Sequence, residues 1–480
     1  MTERYFPFTA IPKYSKVVLY GAGAIGRQYY SQNQKLEWCD IIGALDINHS
    51  AIVDFPVPVF APEKICGLDY DYIVISLSFL SMQEDEEISK IREILTGLGV
   101  EPDKIVYKPL FYLWQSDDVF QSTKGDFENF DDSGIKIAFL PMWTLGDQVM
   151  FLSVYQALTK LFDKGVIDVY VIKKIRKTVE AIYYQQKFLG NVYVLDRQDG
   201  EDLKDQYDLV IRVEYEPIIL AADLDRLKKY APLLHKSVEM AVNYQRDYGA
   251  SFPLDSYTNR LRADRAKFWG LNAYTLLSAN QSFPIDDFKV KINLNKSWEE
   301  EFKSLALGKY ITFSNGGGKH IAKSGNLTKA WPNEYYEMLI KEIKHKFPQI
   351  LVVQLGAAYT KEISCADKSI LGKDIGLVMH ILKNSMLHID CESGLVHLAT
   401  QLGTKCAVMF GPTPAWYFGY EGNENIVSSI CTCRECYGLV NDWYYRCMRY
   451  GKPRCMWSIS PNQVFERVSA CLRSSYNAEI

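Results

Sequence analysis

Four segments of this sequence combine residue types that could do chemistry on a hydroxyl or a phosphate. Thr144-Leu-Gly146-Asp147 lies between an apolar run and a long amphipathic stretch. A carboxylate there stands at the carboxyl end of a strand, where ligands bind in open α/β sheets, and can accept a proton from an attacking hydroxyl. The plain alternative is a helix N-cap. Ser314-Asn-Gly316-Gly317-Gly318 follows another apolar run and can bring backbone N–H groups to a phosphate. Lys329-Ala-Trp-Pro332 comes next, with Pro332 suited to the first turn of a helix. Lys329 would then be a point charge for a diphosphate, or simply a solvated lysine. In Asp390-Cys-Glu392-Ser393-Gly394-Leu-Val-His397, Ser393 and Gly394 would offer N–H groups and a hydroxyl at a positive helix end. Glu392 or His397 could contact a sugar or ribose; otherwise Ser393 caps and His397 is a satisfied, half-buried histidine. Phe410-Gly-Pro-Thr413 closes a further strand at the same sheet edge. Each loop is weak evidence alone, but three at one edge of a parallel sheet can hold a diphosphate.

Two other patterns stand apart. Gly21-x-Gly23-x-x-Gly26 follows a strand and opens a helix, and Asp46 lies twenty residues after Gly26. That is the setting of a dinucleotide fingerprint for an NAD-like nucleotide, although the same glycines can serve helix–strand packing alone. Near the other end stand Cys431, Cys433, Cys436, Cys447 and Cys455. A Cys-x-x-Cys pair with two later cysteines predicts a closed structural site for zinc or iron, held by Cys433, Cys436, Cys447 and Cys455 with Cys431 spare. Free thiols are the alternative.

The elements that must position these residues alternate along the chain. Lys16–Tyr20, Asp40–Asp46 and Tyr72–Ser76 read as strands, Glu86–Leu98 as an amphipathic helix, and Lys104–Tyr107 as the end of that unit. A polar stretch over 115–134 is the linker candidate. A second unit opens with Ile135–Leu140 and a helix reaching about Phe162, then strands Val166–Val171 and Asp208–Val213 and a charged, helical stretch over 222–280. A third has strands at Tyr310–Phe313, Ile350–Leu355, Met386–Asp390 and Lys405–Phe410. Alternation of strand and helix means parallel α/β sheets, here in three modules: 1–114, 135–295 and 296–480, the last carrying a Cys-rich loop over 431–455. Asp223-Leu-Asp225 spells a DxD motif but sits in the charged stretch and reads as surface.

The chain has 480 residues, about three domains' worth, with 48% hydrophobic and 23% charged residues. The net charge of −4 gives no field to recruit nucleic acid or anionic membrane. No apolar run approaches the roughly 18 residues of a membrane span, and the N-terminus lacks a secretory apolar region, so a cytoplasmic location is expected.

The segment from about 135 to 470 resembles the ADP-heptose:lipopolysaccharide heptosyltransferases, glycosyltransferase family 9. The matching residues are Gly146-Asp147, Lys329-x-Trp331-Pro332, Gln354-Leu-Gly356, Glu392-Ser-Gly-Leu-Val-His-Leu-Ala399, Gln401-Leu-Gly403, Phe410-Gly-Pro-Thr413 and the cysteines ending at Cys455. The resemblance implies two Rossmann-like domains facing a cleft (GT-B), inverting transfer from a nucleotide-diphosphate sugar, and no catalytic metal. It implies that Asp147 matches the catalytic base, and that Lys329 matches the residue contacting the donor diphosphate. It is also similar to a protein O-heptosyltransferase branch with an iron-bound finger. The family's Asp-Ser/Thr-Gly donor motif appears here as Glu392-Ser393-Gly394, and the N-terminal module is an addition.

The expectation is therefore a glycosyltransferase using ADP-heptose, with a cell-surface glycan or a protein as acceptor. The extra module offers a surface for homo-oligomer assembly. The alternatives are an NAD(P)-dependent sugar-modifying oxidoreductase and a non-catalytic nucleotide-sugar-binding scaffold.

Overall fold

Runs such as Val17-Val18-Leu19 and Ala138-Phe139-Leu140 are too continuously apolar for a strand with one wet face, and all six residues are fully buried. Parallel sheets between two helix layers require this. The computed structural model describes residues 6–77, 84–107, 121–122, 134–195, 203–246, 256–279, 281–285, 289–316, 328–439, 443–445, 447 and 449–477. The chain divides into one unit built on residues 1–118 and another built on 119–248 with 256–480.

In the first unit, β1 (Lys16–Tyr20), β2 (Asp40–Leu45), β3 (Val59–Phe60), β4 (Tyr72–Ile75) and β5 (Ile105–Val106) form a parallel sheet in the order β3-β2-β1-β4-β5. Alternate residues of β1 enter two separate cores, Val18 with Leu95 of helix Glu84–Gly97 and Leu19 with Tyr29 of helix Ala24–Leu36.

The second unit holds two six-stranded sheets. One comprises β6 (Gln121–Ser122), β7 (Ile135–Pro141), β8 (Gly165–Val171), β9 (Leu189–Val194), β10 (Leu209–Val213) and β11 (Pro217–Ala222) in the order β6-β11-β10-β7-β8-β9. Only the β10–β11 pairing is antiparallel among those recorded in it. The other comprises β12 (Tyr310–Phe313), β13 (Leu351–Gly356), β14 (Lys368–Leu371), β15 (His388–Cys391), β16 (Cys406–Phe410) and β17 (Glu424–Val427), all parallel, in the order β14-β13-β12-β15-β16-β17. One apolar cluster runs from Ile135 and Phe139 to Leu377 and Phe410, so these two sheets share a core. The other face of the last sheet packs separately against Trp331, Tyr336 and Leu472. Strand order reverses between β7 and β10 and between β12 and β15. Ligands of open α/β sheets bind at such reversals, at the carboxyl ends of the strands.

The strands absent from the sequence reading are β3, β6, β9, β11, β14 and β17. Five are sheet edges, where one side lacks a neighbour and polar residues break the apolar pattern; the sixth, β11, begins at Pro217. Within the polar stretch 115–134, Gln121–Ser122 pair in parallel with β11. Asp223 corrects the surface reading of Asp223-Leu-Asp225. It is only 5% exposed and caps helix Leu224–Tyr230, accepting the Arg226 backbone N–H at 3.0 Å. No helix among the described residues is long and apolar enough to cross a membrane.

The cap predicts that Asp223→Ala lowers stability by about 1–2 kcal/mol, read as a lower denaturant midpoint, while any transferase activity at low temperature persists. A DxD metal ligand would show the opposite pattern.

Candidate active site

Strand β7 ends in a tight turn. Trp143 takes a φ of +70°, a left-handed conformation that strains a bulky residue. The buried Gln148 amide holds the turn by donating to the carbonyls of Pro141 (3.1 Å) and Met142 (2.9 Å). Helix Leu145–Leu158 then starts with a capping box, in which the Asp147 carboxylate accepts the Thr144 N–H at 3.0 Å. Asp147 is thus not the N-cap itself, which is Thr144, but stands at the third helical position and closes the capping box. The same geometry fixes Asp147 rigidly at the carboxyl end of β7. Burial pushes its carboxyl above the usual aspartate value, opposed by the Thr144 N–H and by His397.

Strand β15 ends in a second organised turn. Asp390, 1% exposed, accepts the Ser393 hydroxyl at 2.5 Å and the Cys391 N–H at 2.7 Å. Ser393 therefore shapes the turn through Asp390, and helix Gly394–Gln401 begins without a side-chain cap bond. Between these elements, Lys329 makes a close, largely buried ion pair with Glu392. Burial alone would raise the Glu392 carboxyl, but the charges of Lys329 and His397 outweigh it and hold it at about 2. Burial likewise disfavours the Lys329 ammonium, and Glu392 outweighs it, so the lysine's pKa rises. Lys329 is therefore not the solvated lysine of the plain alternative.

His397 joins the two turns. Its Nε2 lies 3.8 Å from Glu392 Oε1, and its Nδ1 is 3.2 Å from the hydroxyls of both Tyr274 and Tyr420. Tyr274 donates its one hydroxyl proton to the Phe418 carbonyl, so it can only accept from Nδ1–H. Neither tyrosine carries a sequence motif, and their role is visible only in the fold.

Two glycines bring the turns together. A Cβ on Gly146 would lie 2.7 Å from His397 Cδ2 and 3.3 Å from Gly394 Cα. A Cβ on Gly394 would lie 2.9 Å from the Gly146 nitrogen. The N-termini of two helices, one from each sheet of the second unit, thus meet with no room for a side chain. Asp147, Glu392, Ser393 and His397 gather at this contact, with Lys329 held to it through Glu392.

The remaining expected residues are placed unevenly. Gly316 packs against Thr360, which a Cβ would meet at 2.9 Å, and Gly317 lies outside the described residues. Thr413 is buried in the turn after β16. In the first unit, Gly26 packs directly on the turn, since a Cβ there would be 2.4 Å from the Gly21 carbonyl oxygen, while Gly23 faces open space. Asp46 accepts the Ala22 N–H and the Asn48 N–H, both at 2.9 Å. Oδ2 braces the glycine turn and Oδ1 the turn after β2, and nothing here supports an NAD-like nucleotide. All eleven cysteines are free thiols. Cys433, Cys436, Cys447 and Cys455 share one region, yet among the described residues no group of three or more His, Cys, Asp or Glu side chains is placed to hold a metal ion. Zinc or iron held by these cysteines stays an expectation from the sequence, and no step below uses it.

The glycine contact makes a sharp prediction. Gly394→Ala should cost about 1–3 kcal/mol from overpacking and weaken nucleotide-sugar binding, measured by denaturant midpoint and calorimetric titration. An unchanged midpoint would mean that the two helix ends are not this close.

Residues 261–441 match the sequence model of glycosyltransferase family 9 (heptosyltransferase). The match contains Lys329, Glu392, Ser393, Gly394, His397 and Thr413, and Asp147 precedes it. No curated protein matches the chain. Among solved structures, the chain is similar to the ADP-heptose LPS heptosyltransferase II of E. coli (15% identity, TM-score 0.46, covering 71% of this chain and 99% of that one). A glycosyl transferase family 9 protein from Veillonella parvula gives 14% identity and TM-score 0.47, with 72% and 99% covered. The iron-containing dodecameric glycosyltransferase TibC from enterotoxigenic E. coli gives 12% and 0.47, with 71% and 77% covered. Over residues 261–441 the chain is thus similar to the glycosyltransferase family 9 (heptosyltransferase) domain.

Proposed function

We propose that this protein is an inverting glycosyltransferase that moves a sugar, with heptose from ADP-heptose as the favoured donor, to a hydroxyl of a cell-surface glycan or a protein. The observation that carries this reading is the meeting of two helix N-termini at Gly146 and Gly394. It puts a proton acceptor and a cation beside one anion-favouring spot.

In this mechanism the acceptor hydroxyl attacks the anomeric carbon from the face opposite the leaving group. Asp147 takes its proton. Both Thr144 bonds end on Oδ2, so Oδ1 is the oxygen turned to the acceptor. As the new C–O bond forms, the bond to the diphosphate oxygen breaks and its electron pair leaves with the nucleoside diphosphate. Lys329 and the backbone N–H groups of Ser393 and Gly394 stabilise that charge, each such group being worth roughly 2.7–4 kcal/mol of barrier. Without donor, Glu392 neutralises Lys329. An incoming diphosphate competes with that carboxylate and frees it to accept a hydroxyl of the donor sugar or ribose.

Asp147 works only when ionised, and burial raises its carboxyl. Rate therefore climbs with pH through that raised value, so the acid limb of the kcat/KM profile should lie above the ordinary aspartate value of about 3.9. Asp147→Asn should lower kcat by roughly 10²–10⁴-fold and abolish that limb. Retention of wild-type transfer would remove Asp147 from the mechanism.

Lys329→Ala strands Glu392 and should cost about 3–5 kcal/mol of stability. Adding Glu392→Gln removes the stranded charge and should recover most of that loss without restoring donor affinity. Calorimetry with ADP-heptose, UDP-glucose and GDP-mannose on the double variant separates the two effects. Wild-type affinity in the double variant would show that Lys329 does not touch the donor.

A further inference from the structure

Three phenols and a guanidinium converge beside Asp147 from four separate segments. Tyr215 follows β10, Arg262 lies on helix Ser256–Phe268, Tyr417 sits in the short helix Ala415–Phe418, and Tyr437 belongs to the Cys-rich loop. The Arg262 guanidinium lies 4.5 Å from the Tyr215 ring, and the Trp143 ring, just before the Thr144 cap, lies 6.3 Å from it. The rings of Tyr417 and Tyr437 are 6.2 Å apart.

A web of contacts ties these segments to one another. Arg265 pairs with Glu216, next to Tyr215. Arg260 donates to the Glu435 carbonyl at 2.9 Å, and the Tyr437 N–H donates to the Pro412 carbonyl at 2.9 Å. The Ala273 N–H donates to the Tyr417 carbonyl at 2.9 Å.

Tyr417 and Tyr437 are 2% and 6% exposed, Tyr215 is half-buried, and among the described residues no hydrogen bond of the three phenol hydroxyls is recorded. Burial keeps all three protonated. Asp147 and Arg262 act on the Tyr215 hydroxyl, and Tyr215, Tyr417, Arg262 and Glu392 on that of Tyr437, so the group spans both acids of the site.

We propose that Tyr215, Tyr417, Tyr437 and Arg262 form the acceptor subsite, and that the acceptor they hold is a pyranose ring. This rests on the transferase reading above. A serine or threonine side chain offers a single hydroxyl. Three phenols and a guanidinium match several hydroxyls on one rigid ring, and the aromatic faces of Trp143 and Tyr215 suit its C–H surface. The Cys-rich loop gains a role as well, because it carries Tyr437 into the site.

The test uses the full-length protein saturated with ADP, titrated with methyl glucoside, methyl galactoside and methyl mannoside. Tyr215→Phe, Tyr417→Phe and Tyr437→Phe keep each ring and remove only the hydroxyl, and thermal melts check that they fold. At least one pyranoside should bind saturably, and each variant should weaken it about three- to tenfold. The shift falls on the pyranoside constant and not on that of ADP. Failure of every pyranoside to bind, or wild-type affinity in all three variants, overturns the subsite while ADP binding leaves the transferase reading standing. Equal glycosylation of a serine-containing peptide by wild type and all three variants also overturns it. Absence of ADP and ADP-heptose binding by the wild type sinks the transferase reading and the subsite together.

Discussion

Everything in the second unit turns on two glycines that leave no space between two helix ends. Gly146 opens the helix after β7, and Gly394 opens the helix after β15. A methyl group on either would overlap the other turn, at 2.7 Å from His397 or 2.9 Å from the Gly146 nitrogen. Each sheet on its own could present one polar loop at its strand-order reversal. The glycine contact merges two such loops into a single site, and it explains why the polar residues gathered there come from positions as far apart as 147 and 392.

The contact also sets the electrostatics. Two helix N-termini bring two positive dipole ends together, which favours anions. Asp147, Asp390 and Glu392 sit there, Lys329 pairing with Glu392, His397 acting on Asp147 and His388 lying 3.5 Å from Asp390. The longer carboxylate of Glu392, standing where the family carries aspartate, reaches Lys329 and touches the His397 edge at once. A site balanced in this way is stable when empty and still offers a cation to a doubly charged diphosphate. His397 is in turn held by Tyr274 and Tyr420, so two further segments of the chain fix the orientation of the imidazole.

Much of this was legible in the sequence because local rules dominate at strand–helix turns. Central strands such as β1 and β12 read correctly to the residue, since burial on both faces makes their apolar runs continuous. The start of a helix at Thr144–Asp147 and the Ser393-Gly394 turn follow from the same local chemistry, although the cap is Thr144 and Asp147 closes the box from the third helical position. Edge strands such as β3 and β14 were silent, as was the buried cap at Asp223, whose burial depends on neighbours far along the chain. The Lys329–Glu392 pair spans 63 residues, and the phenols at 215, 417 and 437 span 222, distances over which no periodicity or spacing rule operates. The glycine fingerprint at residues 21–26 was legible as a turn, but its acid proved to be a backbone brace.

The most direct test of the account is a crystal structure of the protein with ADP bound. The account predicts diphosphate oxygens within hydrogen-bond distance of the Ser393 and Gly394 N–H groups, with Lys329 turned from Glu392 towards them. A diphosphate bound elsewhere, at the Gly21–Gly26 turn above all, with Lys329 still paired to Glu392, would contradict it.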